Sequence, residues 1–392
     1  MKVNKNVDAN ANTTTNIGVN ATTDATADVK TTSKAKKIVK TIFIILLIFI
    51  LIVAIYVAYV YFSYNRIEDE LSLEINDKIG STAMVGEEYK IISYNIGFAA
   101  YTPEFTFFMD GGKESKAASK ESVLSIMTDI TNYLKAQNPD FAVIQEVDVK
   151  ATRTYHVDES KILVDAFPDY DSVFAVNWDS AYLAYPFFDH HGKTLAGMQT
   201  FSRFNMDSSV RFSLPVEDTL MKFVDLDRCL TLSRIPTSNS KELVIINHHL
   251  SAYTSDGKIA DEQLKLLVSL MKKEYEKGNY VIAGGDFNKD LIEGGSENVF
   301  GVKPKDGYTW AQEIDRTLIK DAGLELVTPF NADKPLPSCR NCDVPLSENP
   351  FKVTVDGFIV SPNVTIIASD VCDINFKYSD HNPVYLTFVL AE

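Results

Sequence analysis

The chain has 392 residues, 23% charged and 45% hydrophobic, with a net charge of −15. That length predicts one large or two ordinary domains. Its four cysteines are too few for a disulfide scaffold, and no internal repeat is visible.

Residues 1–33 are rich in Asn, Thr, Ala and Asp and nearly lack large apolar side chains. Such a segment cannot offset its chain entropy by burial, so the tail, residues 1–37, is expected to be disordered. KAKKIVK follows, and then an apolar run with no charge from Thr41 to Asn65. At about 1.5 Å per helical residue this run spans a hydrocarbon core of about 30 Å. It is apolar on every face, which disfavours a buried core helix. It is also longer than the apolar region of a cleaved signal peptide, about 7–15 residues. A single transmembrane signal anchor over residues 38–64 fits better. Lys34, Lys36, Lys37 and Lys40 precede it, whereas Arg66 is followed at once by Glu68, Asp69 and Glu70. The positive-inside bias puts the tail in the cytoplasm and everything beyond residue 65 outside the cell membrane.

Seven of the 38 basic and three of the 53 acidic residues precede residue 65, leaving 31 against 50, or −19, for the rest. This charge argues against a surface built to grip nucleic acid, although bound divalent cations can offset a local field. Residues 65–87 read as a linker. From residue 88 strand and helix patterns alternate. YKIISYNI (89–96) is a buried strand. Val123, Ile126, Met127, Ile130 and Leu134 then mark one face of a helix that Asn138-Pro139 ends. FAVIQ (141–145) and ELVIINHHL (242–250) are strands. Residues 260–277 form a second amphipathic helix, with Leu264, Leu267, Val268, Met271 and Tyr275 on one face, and Gly278 stops it. YVIAGGDFN, KVTVDGFIV (352–360) and PVYLTFVL (383–390) complete the strands. This mixture predicts an α/β sandwich, with residues 95–118 and 289–350 as long loops.

Unexpected polar residues gather where these strands finish. Asn95 ends the first, Glu146 follows FAVIQ, and His248 and His249 end ELVIIN. Asp286 and Asn288 close YVIAGG, Asp356 interrupts KVTV and FIV, and Asp380 and His381 precede the last strand. A carboxylate in an apolar strand is costly unless it is paired or binds a cation. Strand ends on one rim are also where α/β folds assemble sites. Side chains alternate along a strand, so only one of His248 and His249 can enter such a site, and His249 shares a face with Asn247. Asp380 and His381 are adjacent and must lie in a loop to converge on one point.

The ordered set SYN, QEV, NHHL, GGDFN, VDGF and SDHNPV resembles the endonuclease/exonuclease/phosphatase superfamily over about residues 88–391. The resemblance implies a four-layer α/β/β/α sandwich, here preceded by a single transmembrane helix. It also implies metal-assisted attack of water on a phosphoester, with Mg²⁺ or Mn²⁺ as cofactor. By the same resemblance Glu146 is the principal metal ligand, Asn95 supports metal and phosphate, and Asp380 faces the metal. Asp286 orients the water, Asn288 contacts the phosphate, and His249 hydrogen-bonds the phosphoryl oxygens. His381 is then the proton acceptor, its tautomer fixed by Asp356. Many members carry a Tyr or Arg on the strand before NHHL. TLAGMQTFSRF offers no equivalent, so Arg153 or Lys193 is the candidate for binding substrate charge. His190, His191 and His156 read as loop or solvated residues. CRNC (339–342) has neither a second CxxC nor a His nearby in sequence to complete a zinc site, and reads as a local disulfide or plain thiols.

The expected protein is thus a membrane-tethered, extracytoplasmic, metal-dependent phosphoesterase acting on lipid head groups or small phosphoesters. A surface nuclease cleaving DNA is one alternative, and a non-catalytic binding module on the same fold is another.

Overall fold

The structure, a computed structural model, describes residues 25–64, 66–76, 80–217, 220–223, 226–252, 258–304 and 310–392, with helix side chains described from Ser33 onward. Helix α1, Ala25–Ser63, contains the apolar run. Its portion Ser33–Ser63 is 31 residues long with a most apolar window of mean hydropathy 3.3, long and apolar enough to cross a membrane. The tail's first 24 residues lie outside the described ones. The rest of the expected tail, 25–37, is helical. Once a helix is nucleated each added residue contributes a hydrogen bond, so a strong apolar helix propagates into indifferent flanking sequence.

The chain divides into a unit ending at Tyr59 and one running from Val60 to Glu392. In the second unit the segment expected to be a linker is instead part of the domain. Its two short strands, β1 (Leu71–Ser72) and β2 (Ile75–Asn76), join different sheets. Arg66 Nη2 donates to Leu214 O at 2.8 Å, and Ser213 N donates to Asp69 Oδ1 at 2.7 Å. Two-residue strands carry no period for a sequence to display, which is why the linker reading fails.

The remaining elements follow the alternating pattern. β3 is Glu88–Asn95, α2 Lys120–Gln137, β4 Phe141–Asp148, α3 Glu159–Ala166, β5 Asp171–Asp179 and β6 Leu195–Ser202. β7 is Ser208–Ser213, β8 Cys229–Pro236, β9 Glu242–His249, α4 Lys258–Glu276 and β10 Tyr280–Asp286. Then come α5 (Ser296–Phe300), α6 (Arg316–Asp321), β11 (Glu325–Val327), β12 (Cys339–Arg340) and β13 (Lys352–Val353). β14 (Asp356–Val360), β15 (Val364–Val371) and β16 (Val384–Leu390) end the series. One seven-stranded sheet runs β1-β7-β8-β9-β10-β14-β11 and the other β15-β16-β3-β4-β6-β5-β2, with β12 and β13 forming a separate ribbon.

Local chemistry explains the helices. Ser119 caps α2 by accepting from Ser122 N at 3.1 Å, and Asn138 ends it in the left-handed conformation, φ 47°. Four layers result from side-chain alternation. Ile92 and Tyr94 of β3 pack against Val123, Met127 and Ile130 of α2, whereas Ile91 faces the other sheet with Ile245, Ile282 and Phe358. Val244 and Ile246 of β9 turn the opposite way, onto Leu264, Leu267 and Met271 of α4. The order is therefore helices, sheet, sheet, helices.

Each sheet contains one parallel pair linked by a crossover helix: β3 and β4 through α2, and β9 and β10 through α4. The carboxyl ends of these four strands carry Asn95, Glu146, His249 and Asp286. The sandwich brings all four ends to one rim, since Asn95 at the end of β3 reaches Asp286 at the end of β10.

Candidate active site

Asn95 is the keystone of that rim. Its Nδ2 donates to Glu146 Oε1 at 3.0 Å and to Asp286 Oδ2 at 3.1 Å, and its Oδ1 accepts from Gly97 N at 3.0 Å. One amide thus ties the ends of β3, β4 and β10 together. Glu146 reaches it through a bulge. The pairing of β4 with β6 shifts register between Ile144 and Val147, and Glu146 takes φ 56°. The extra residue re-aims a side chain that regular alternation would send elsewhere. Gly285 makes the adjacent approach possible, because a Cβ there would lie 2.0 Å from His248 O.

Asp286 Oδ2 is a point of convergence. Besides Asn95, His249 Nε2 lies 3.5 Å from it and His381 Nε2 3.8 Å. The two imidazole separations exceed a direct hydrogen bond and suit an intervening water or substrate oxygen. His381 Nδ1 is 2.8 Å from Asp356 Oδ2, which also accepts from Ser338 Oγ at 2.7 Å. Asp356 therefore holds the imidazole, as expected. His381 and Asp380 sit in the loop before β16, where Ser379 Oγ accepts from His381 N at 3.1 Å and donates to Asn95 O at 2.8 Å.

Alternation separates the histidine pair. His249 faces the rim, while His248 turns toward the α4 layer and meets the Phe287 ring edge-on at 4.3 Å. Burial lowers the His248 pKa to about 3, so it is a neutral core histidine. Asn288 is the most constrained of the expected residues, with φ 50°, its Nδ2 donating to Leu250 O and its Oδ1 accepting from Trp310 Nε1 at 2.6 Å.

The electrostatics are those of excess negative charge out of water. Burial raises Asp286 to about 7, with His381 opposing the rise and Asp356 adding to it. Burial, and then Asp380, raises Glu146. Burial alone would lower His381, but Asp356, Cys339 and Asp380 outweigh it and hold the imidazole well above its ordinary value. His249 is pushed well below its ordinary value by burial, then by Arg228 and His381. Asp356 Oδ1 is buried and has no hydrogen-bond partner among the described residues. Carboxylates crowded in this way are stabilised by a cation, and oxygen donors suit a hard divalent ion. Asp286, Asp356 and His381 have ligand atoms within 4.8 Å of one another, as do Cys339, Asp380 and His381. Glu146 is in neither group but shares Asn95 with Asp286. The residues fit a divalent metal.

The structure places three expectations differently. Arg153 is not free to meet substrate charge. Its Nε and Nη2 donate to Asp148 at 2.9 and 2.8 Å, and its guanidinium lies 3.7 Å over the Phe98 ring. Lys193 is exposed and pairs with Asp179 at 3.6 Å. The cation beside His249 is Arg228, the residue before β8, which is 5% exposed. Its Nε and Nη1 are buried without a partner among the described residues. β8, entered through DRCLTL, is the strand preceding NHHL, whereas TLAGMQTFSRF forms β6. Second, His191 is a loop residue that is nonetheless buried, with Nδ1 3.1 Å from Ser115 O; His156 is exposed. Third, a histidine distant in sequence lies beside CRNC, with Cys339 Sγ 3.4 Å from His381 Nε2 across an isolated bridge between the two residues, and both cysteines are plain thiols. All four cysteines are free.

Comparison with known proteins agrees with this geometry. The family model described as "Endonuclease/Exonuclease/phosphatase family" matches residues 92–381. No curated protein is a sequence match. Among solved structures, an endonuclease/exonuclease/phosphatase from Beutenbergia cavernae DSM 12333 superposes with a TM-score of 0.55 at 17% identity, covering 78% of this chain and 72% of that one. ANGEL2, a 2′,3′-cyclic phosphatase, superposes with a TM-score of 0.52 at 14% identity, covering 84% and 100%. At such identities these likenesses speak to the fold. With six motifs converging on one rim and a family match across most of its length, the chain belongs to the endonuclease/exonuclease/phosphatase family.

Proposed function

We propose that the protein is a membrane-tethered, extracytoplasmic phosphoesterase that depends on a divalent metal and hydrolyses lipid head-group or other small phosphoesters. The observation that carries this reading is the pair of hydrogen bonds that Asn95 Nδ2 donates to Glu146 and Asp286, set beside a His381 held by Asp356. When bound by Glu146, Asp380 and Asn95, Mg²⁺ or Mn²⁺ supplies neutralisation of the phosphoester and polarises it. The side chains do the rest. In its deprotonated form His381 Nε2 accepts a proton from the attacking water while Nδ1–H stays donated to Asp356, which stabilises the imidazolium so formed. Asp286 Oδ2 orients that water. Arg228 and His249 Nε2 meet the phosphoryl oxygens, and Asn288 keeps one amide N–H for the same purpose.

The apolar helix and the acid excess beyond it support the tether and the outward orientation. A substrate at or near the bilayer suits a domain that follows the apolar helix closely in sequence. The full chain in detergent micelles, with Mg²⁺, should hydrolyse a generic phosphodiester or phospholipid vesicles, and a chelator should abolish turnover until Mg²⁺ is restored. Chelator-resistant turnover contradicts metal dependence. Rapid cleavage of DNA without lipid or small-ester turnover reverses the substrate order in favour of a surface nuclease. A tag at residue 392 should be removed by protease added to intact cells; protection would contradict the orientation.

A further inference from the structure

Cys339 and Cys342 take no part in the chemistry above, yet the fold holds both against it. Cys339 Sγ is 3.4 Å from His381 Nε2, and Cys342 Sγ is 3.8 Å from Asp380 Oδ2. Both sulfurs also lie near one carbonyl, Arg340 O, at 3.5 and 3.9 Å. The Cys339 thiol, the His381 imidazole and the Asp380 carboxylate therefore gather within 4.8 Å of one another, with the Cys342 thiol beside the same carboxylate. We infer that the CRNC thiols, with His381 and Asp380, form a second cation site that selects a thiophilic ion of the zinc type and whose filling withdraws His381 from catalysis.

The separations suit such an ion. Zinc bonds of about 2.3 Å to sulfur and about 2.0–2.1 Å to nitrogen or oxygen give tetrahedral edges of about 3.5 Å. The S···N and S···O distances of 3.4 and 3.8 Å bracket that value. The ligand atoms of Cys339, Asp380 and His381 already lie within 4.8 Å of one another.

The surroundings resemble those of a built site. His381 Nδ1 is held by Asp356 at 2.8 Å, the carboxylate–histidine arrangement that orients a metal-binding imidazole and raises its basicity. The two ligand segments are pinned to each other through their backbones. Arg340 N donates to Asp380 O at 2.9 Å, and Asn382 N donates to Ser338 O at 2.7 Å. Arg340 is itself buried, with Nη2 donating to Thr102 O at 2.8 Å, so the turn between the cysteines is anchored in the domain. An ion held by Cys339, Asp380 and His381 has only the Cys342 thiol, already beside Asp380, to draw in.

Donor type separates this site from the hydrolytic one. Glu146, Asn95 and Asp380 offer oxygen, which Mg²⁺ prefers, whereas Cys339, Cys342 and His381 offer sulfur and nitrogen. Asp380 borders both. Without an ion, Cys339 Sγ and His381 Nε2 make one hydrogen bond at 3.4 Å. Filling the site would release the proton of each thiol, and any proton on His381 Nε2, to solvent, and would form two metal–sulfur bonds, one metal–nitrogen bond and one metal–oxygen bond to Asp380. The Nε2 lone pair is then committed and cannot accept a proton from water.

The test uses the full chain in detergent, treated with chelator, kept reduced and supplied with millimolar Mg²⁺. One equivalent of Co²⁺ should give an intense thiolate-to-cobalt charge-transfer band that one equivalent of Zn²⁺ bleaches. C339S/C342S should lose the band. No band in the wild-type chain, or an undiminished band in the double variant, overturns the site. The inhibitory consequence rests on the proposed role of His381, and a separate measurement reads it. Stoichiometric Zn²⁺ should lower wild-type phosphodiester turnover at least tenfold relative to its own zinc-free rate, and that of C339S/C342S less than twofold. The charge-transfer band does not depend on turnover, so a cobalt band without inhibition sinks the consequence and the role of His381 but leaves the site standing.

Discussion

Replacing His381 with Ala should lower phosphoester turnover about 10²–10⁴-fold, the usual loss on removing a general base. The side chain is 4% exposed and its Nδ1 is fixed 2.8 Å from Asp356, so the Nε2 lone pair is directed at the Asp286 side of the rim. Asp356→Asn tests the same unit from behind. An Asn amide placed on Nδ1 by its NH₂ favours the proton on Nε2, the nitrogen that must be bare to act as a base. The two losses should be of similar order and should not multiply in the double variant, because the residues act as one unit. Turnover is measured against Mg²⁺ concentration, with thermal unfolding as the control on folding. Unchanged turnover in folded His381→Ala removes the imidazole from the mechanism. Multiplicative losses would mean that Asp356 acts through something other than His381.

Which parts of this rim were legible in the sequence follows from how each residue is held there. Asn95, His249 and Asp286 sit at the ends of regular strands, where a period of two and an abrupt polar residue are visible in a string of letters. Alternation alone limited the site to one of His248 and His249, and the family resemblance chose His249. Glu146 was visible only as a polar residue after FAVIQ; the bulge that aims it, with φ 56°, has no sequence period. The pairing of Asp356 with His381 required the family resemblance, since 25 residues separate them. Ser338, Trp310 and Cys339 were invisible as site neighbours because they come from the irregular stretch before β14, where position is set by tertiary contacts. Arg228 was obscured in a different way. TLAGMQTFSRF forms β6, two strands before β8, and an Arg beside an Asp reads as ordinary surface.

Arg153 and Arg228 should therefore fail in opposite ways when each is replaced by Ala. Arg153 is 5% exposed and donates twice to Asp148, itself fully buried, which also crowds the buried carboxyl of Glu159. Removing the guanidinium strands Asp148 in a low-dielectric interior, and breaking such a pair typically costs about 3–5 kcal/mol. It also strips the face of Phe98, over which Arg153 lies at 3.7 Å. Arg153→Ala should lower the thermal midpoint sharply, and whatever fraction stays folded should keep its turnover per folded molecule to within a few-fold. Arg228 presents the contrary case. With two nitrogens buried and unpartnered among the described residues, it carries a desolvation cost that a phosphoryl oxygen would relieve. Arg228→Ala should leave the midpoint unchanged or raised, while turnover falls about 10²–10³-fold, as for the loss of a donor to developing negative charge. Arg228→Lys should recover only part of this, because a single ammonium cannot reproduce the planar fork. Denaturation and steady-state rates measured on the same preparations decide the matter. If Arg153→Ala stays stable and inactive while Arg228→Ala unfolds, the assignment of the two arginines is reversed, and substrate charge is met from the α2 side of the rim.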